Sequence, residues 1–173
     1  MPGTFNGTTL TISATPVDRA PIPDEGATNV AGIAIVGSDM YCVKTTGLKT
    51  TLLKTTDYTT AKATAVKKDL NWFALGLTKI GNYLYMLAED HKGYGGSTTI
   101  VKLDTKGNQL GTYNIKNICP NGALGITAAD GTNEKFIIMH YTGSNNAGTL
   151  TFSVVNWKES LYFKTTAKIA EPQ

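Results

Sequence analysis

Few side chains in this sequence are placed to make or break bonds. The only histidines are His91 and His140, and neither falls at a metal-ligand or hydrolase spacing. His140 closes the apolar run Phe136 to Tyr141, where a hydrogen-bonded structural imidazole is expected. General acid–base work needs two groups converging from different environments. Glu89-Asp90 reads as part of a solvated loop and Asp130 to Glu134 as a turn, so neither pair meets that need. Gly93, Gly95 and Gly96 mimic a phosphate loop, but no helix follows to supply the N-terminal amides. Cys42 and Cys119 allow at most one bridge, and Cys42, inside an apolar segment, is expected to be a buried free thiol. No catalytic set, metal-ligand set or cofactor fingerprint emerges. What does gather is a recognition set: Trp72, Glu89, Asp90, His91, Tyr94, Asn145 and Asn146. Aromatic rings beside acid, amide and imidazole groups suit a glycan or a polypeptide, because sugar C–H faces stack on rings while hydroxyls take hydrogen bonds.

Those seven residues meet only if the elements between them bring their loops to one end. The chain has 173 residues, enough for one domain with a sizeable core. Charged residues make up 17%, and Gly and Thr are abundant, a composition that favours strands and tight turns over helices. The net charge is +3 with scattered lysines, which argues against nucleic acid; Lys62, Lys67 and Lys68 read as a solvated strand edge. No apolar run is long enough to span a membrane as a helix, so a soluble chain is expected.

Three stretches open alike: Val30-Ala31-Gly32-Ile33, Ala74-Leu75-Gly76-Leu77 and Ala123-Leu124-Gly125-Ile126, their glycines 44 and 49 residues apart. Each opening leads into an apolar strand, a turn (Gly37-Ser38-Asp39, Gly81-Asn82, Asp130-Gly131) and a returning strand. Thr50 to Lys54 and Thr98 to Lys102 then match by residue class at every position, and Thr149 to Val155 takes the same place. A more polar fourth strand closes each unit, near Thr60 to Lys67, Gln109 to Ile115 and Ser160 to Lys168. First strands read as inner and buried on both faces, fourth strands as outer. The organisation expected is an N-terminal arm over 1–29 with one strand near Leu10 to Ile12, three repeats at about 30–72, 73–121 and 122–168, and a short tail over 169–173.

With the small-x-Gly-apolar opening, the second strands bearing Tyr41, Tyr85 and Phe136, and the Asp104 to Gly107 corner, the chain resembles β-propeller repeats in general. The fold expected is all-β, with three propeller-blade-like antiparallel four-stranded repeats; a β-sandwich is the alternative. In a blade, the connection from second to third strand and the link to the next blade share one end. That plan collects Glu89 to Ser97, Thr142 to Gly148 and Asp69 to Trp72, and with them the recognition set; Trp157 falls on the opposite rim. Three blades do not close a ring, so a second copy or another chain is expected to complete the architecture. The function expected is a non-enzymatic, oligomeric binding module for a glycan or polypeptide. The alternative is a structural component of a virion, filament or surface layer that uses its exposed sheet faces and a swapped N-terminal strand. An extracellular, virion or cell-surface setting is favoured over the cytoplasm.

Overall fold

The computed structural model describes residues 3–5, 10–12, 28–56, 63–90, 97–131, 133–142, 149–158 and 161–168. The strands are β1 (Gly3–Phe5), β2 (Leu10–Ile12), β3 (Thr28–Val36), β4 (Asp39–Thr46), β5 (Lys49–Thr55), β6 (Thr64–Leu70), β7 (Trp72–Ile80), β8 (Tyr83–Asp90), β9 (Thr98–Leu103), β10 (Gln109–Asn114), β11 (Ala123–Ala128), β12 (Lys135–Thr142), β13 (Thr149–Asn156) and β14 (Leu161–Lys168). The chain is all-β: β1 and β2 form a hairpin, and the other twelve strands form three four-stranded antiparallel sheets, each an uninterrupted run in chain order. The N-terminal segment thus holds two paired strands, the second at the expected place and the first a three-residue partner.

Turn chemistry explains the meander. Gly81, at φ 57, opens the two-residue turn between β7 and β8 in a backbone region costly for any side chain bearing a Cβ. At the corner between β9 and β10, Asp104 accepts hydrogen bonds from the Lys106 and Asn108 amides at 2.9 and 2.8 Å. This is an Asx-type closure that fixes the reversal.

The core consists of the spaces between successive sheets. Ala34, Tyr41, Val43 and Leu52 of the first sheet meet Leu77, Leu84, Met86 and Val101 of the second. On its other side the second sheet sends Tyr85, Leu87 and Ile100 against Phe136, Ile138 and Val155 of the third. Strand β8 therefore alternates between two cores, with Leu84 to Ala88 all fully buried. Of the four strands in this sheet it is the second, not the first, that lies deepest. In the first sheet the first strand, β3, even leaves Ile33 and Ile35 exposed, because nothing among the described residues stacks on that side of it.

Strand β7 lies between β3 and β11, and glycine sets the spacing. A Cβ on Gly32 would stand 2.1 Å from the Leu77 amide nitrogen, and one on Gly76 would stand 3.2 Å from Ile126 Cγ2 and 3.4 Å from its amide nitrogen. Each of the three openings also carries a β-bulge, at Ala31/Ile33, Ala74/Gly76 and Ala123/Gly125. The recurrent glycines are thus where one sheet's inner strand approaches the backbone of the next. Thr78 reinforces the second contact, its Oγ1 accepting the Ala128 amide at 3.1 Å.

Candidate functional site

The expected recognition set divides. His91, Tyr94, Asn145 and Asn146 lie outside the described residues. Trp72, Glu89 and Asp90 lie within them, at one end of the second sheet, where Trp72 pairs with Asp90 and Phe73 with Glu89. Strand alternation turns Trp72 toward the core shared with the first sheet. Its indole N–H donates to Gln109 Oε1 at 3.0 Å, so the ring is partly a wedge between strands. Glu89 is not on a solvated loop: β8 continues through Asp90, and alternation buries the Glu89 side chain to 4% exposure. Its Oε1 lies so close to Gly122 that a Cβ there would stand 3.1 Å away. Among the described members, only Trp72 and the partly exposed Asp90 stand together.

The same end carries a feature that the sequence did not bring together. Lys44, Lys49 and Lys68, with Thr46, Thr51 and Asp69, line a cavity of about 420 Å³ on the outer side of the first sheet. Three ammonium groups against one carboxylate make it electropositive. Asp69 holds φ 58, a strained value for a non-glycine residue, at the point where β6 hands over to β7. Nearby, Thr50 Oγ1 donates to the Trp72 carbonyl at 2.7 Å, is 2.8 Å from Thr45 Oγ1 and accepts from the Ala74 amide at 3.3 Å. That buried hydroxyl ties the first sheet to the start of the second.

The opposite end holds an ionic cluster. Glu134, from the turn before β12, accepts hydrogen bonds from Tyr85 and Lys102 of the second sheet. The Lys102 ammonium also stands 4.2 Å from the centre of the Tyr83 ring. Burial, and then the Glu134 carboxylate, pushes the Tyr85 hydroxyl up. Burial opposes ionisation of Glu134, but the bonds from Lys102 and Tyr85 outweigh it and hold its pKa below the ordinary glutamate value. Trp157 packs here, 5.7 Å from Tyr85, away from the Trp72 end. Turn chemistry accounts for the Asp130 loop, where Asp130 Oδ1 accepts the Asn133 amide at 2.7 Å. His140 is fully buried, its Nε2 2.9 Å from Ser153 Oγ, and both cysteines are buried and free.

Strand register exposes a third candidate, the outer face of the third sheet. The residues paired opposite the second position after each repeat glycine are Tyr41, Tyr85 and Ile137. Three matched cross-strand sets follow: Tyr41–Lys54, Tyr85–Lys102 and Ile137–Val154, then Val43–Leu52, Leu87–Ile100 and Met139–Phe152. In the first two sheets Val43, Leu52, Leu87 and Ile100 are fully buried beneath the next sheet. In the third, Ile137, Met139, Phe152 and Val154 are only half-buried, while Leu124 and Tyr141 on the same sheet are 43% and 40% exposed. The sheet with no successor among the described residues has the more apolar face, with Ile–Val replacing Tyr–Lys.

Comparison of the sequence with protein-family models and with curated proteins finds no match. Among the described residues, no helix is long and apolar enough to cross a membrane.

Proposed function

We propose that this chain is a non-enzymatic assembly module: three blade-like sheets in a propeller-type stack, whose third sheet presents a face that a partner covers. The observation that carries this reading is the matched register of the outer faces. Ile137, Met139, Phe152 and Val154 occupy positions that are sheet-to-sheet contacts in the other two repeats. Covering a large apolar side chain contributes roughly 1.5–3 kcal/mol, so an uncovered face of this kind favours association. The test is a Met139→Glu/Phe152→Glu double variant, studied by light scattering, hydrophobic-dye fluorescence and thermal unfolding. The expected result is loss of association, or of dye binding where the face is uncovered in the parent, with the variant still folded and unfolding cooperatively. Unfolding of the variant, with a parent that neither associates nor binds dye, would make the face part of the chain's own core and refute the reading.

A second reading is recognition of a glycan or polypeptide at the Trp72 end, favoured by the adjacency of Trp72 and Asp90 beside the lysine-lined cavity. A glycan array probed with the parent and with Trp72→Ala tests it; binding that survives the substitution, or no binding by the parent, rejects it.

A further inference from the structure

We propose that the partner on the third sheet is a second copy of this chain, docked head to tail so that β11 of one copy lies against β3 of the other. This names the occupant of the association face and rests on that reading. Two observations select it over any other apolar partner. The first is the glycine column. Gly32 receives the Leu77 backbone and Gly76 receives Ile126, but among the described residues a Cβ on Gly125 would meet only Met139 Cε, at 3.8 Å. Gly125 keeps the residue type that admits a neighbouring backbone, yet the side of β11 that corresponds to the side of β7 on which Gly76 receives Ile126 is open among the described residues. Thr127, two residues on, is exposed and stands where Thr78 accepts the Ala128 amide.

The second observation is the complementary edge at the other end of the stack. The position of Leu77 and Ile126 in the first repeat is Ile33, and the position of Ala128 is Ile35. Leu77 is 3% exposed, whereas Ile33 and Ile35 are 60% and 50% exposed, with Val30 beside them at 41%. Cys42 and Leu53, farther out on the same side, are already covered in a cluster with Ala63. The exposed apolar residues on that side of the first sheet, beside its lysine-lined cavity, thus lie on β3, the counterpart of the strands β7 and β11 that meet glycine in the two internal contacts. Docking Ile33 at Gly125 and giving the Ile35 amide to Thr127 Oγ1 repeats the internal contact a third time. The contact is heterologous and closes when a second copy makes it in return. Two copies of three sheets give six, inside the range of four to eight seen in closed propellers.

The experiment combines solution mass with cysteine pairing on the full chain. The parent is expected to have the mass of two copies. Gly125→Ala, which the isolated chain accommodates, is expected to lower the mass to that of one copy while the chain still unfolds in one cooperative transition. Mixing Thr127→Cys chains with Ile35→Cys chains is expected to yield an oxidised mixed dimer, with little product from either variant alone. Cross-linking of Thr127→Cys with itself would mean that two third sheets meet face to face and would overturn the head-to-tail contact. A monomeric parent that binds hydrophobic dye, with binding lost in Met139→Glu/Phe152→Glu, would overturn the second copy while leaving the association face standing. A monomeric parent that binds no dye would overturn both.

Discussion

Replacing Gly32 by alanine should be among the most damaging single substitutions available, and its cost can be divided. At φ +71 the left-handed backbone costs an alanine about 1–2 kcal/mol. The new methyl would also lie 2.1 Å from the Leu77 nitrogen and 2.9 Å from the Gly76 carbonyl carbon, both main-chain atoms that no rotamer change can move. The first two sheets must then separate by about an ångström, and overpacking of this kind costs about 1–3 kcal/mol more. The sum, about 2–5 kcal/mol, is a large part of the 5–15 kcal/mol that holds a typical domain together. Gly37 supplies the internal control: it has φ +61, and a methyl added there would find nothing within 4 Å among the described residues, so Gly37→Ala incurs the backbone cost alone. At about 2–4 °C per kcal/mol for a chain of this size, Gly32→Ala should lower the melting temperature by about 10 °C and Gly37→Ala by about half as much or less. Urea titrations with an unchanged m-value, run beside the thermal scans, establish that stability changed without a change in the surface exposed on unfolding. Equal losses in the two variants would refute the close approach of β3 to β7.

Three further outcomes are expected. Glu134 has a depressed pKa in the folded state, so its contribution is present above the ordinary glutamate value and disappears as pH falls through the folded one. Urea midpoints measured across the acid range should therefore fall less steeply with decreasing pH in Glu134→Gln than in the parent. Thr50→Val keeps the shape but removes the hydroxyl shared with Thr45, Trp72 and Ala74; a loss of about 1–3 kcal/mol in chemical unfolding is expected. Cys42 and Cys119 are 2% and 1% exposed, and burial pushes the Cys42 thiol up, so a thiol reagent should react with neither until the chain is unfolded.

Much of this architecture is legible along the chain because its units are local. The openings at Gly32, Gly76 and Gly125 and the turn at Gly81-Asn82 mark strands that pair with their immediate successors, so no long-range partner has to be guessed. Register is harder to read where the hairpin lengthens. Tyr41 and Tyr85 each follow their glycine by nine residues, whereas the Asp130 to Glu134 turn puts Phe136 eleven beyond Gly125. The pairing of Thr127 with Ile137 shows that Ile137 is the counterpart of the two tyrosines, and that Phe136 faces the second sheet. One residue of slip exchanges the two faces of a strand. Glu89 illustrates the same limit: an acid beside Asp90 looks solvated in sequence, yet one more residue of extended chain turns it inward. The Lys44, Lys49 and Lys68 cavity was invisible because its residues come from three different strands.

Every sheet is assembled from neighbouring segments, and among the described residues only the middle one is walled on both sides. Such a chain is nearly one-dimensional in its energetics, with each unit supported by its own pairing and by the boundaries it shares. Opening should begin at the ends, where a unit has a single boundary to lose, and reach the centre last. The amides of Leu84 to Ala88 should accordingly be the slowest to exchange with solvent deuterium, and those of β3 and β13 markedly faster. Docking of a partner on either terminal sheet would then be felt first as slower exchange at that end, long before any change at the centre.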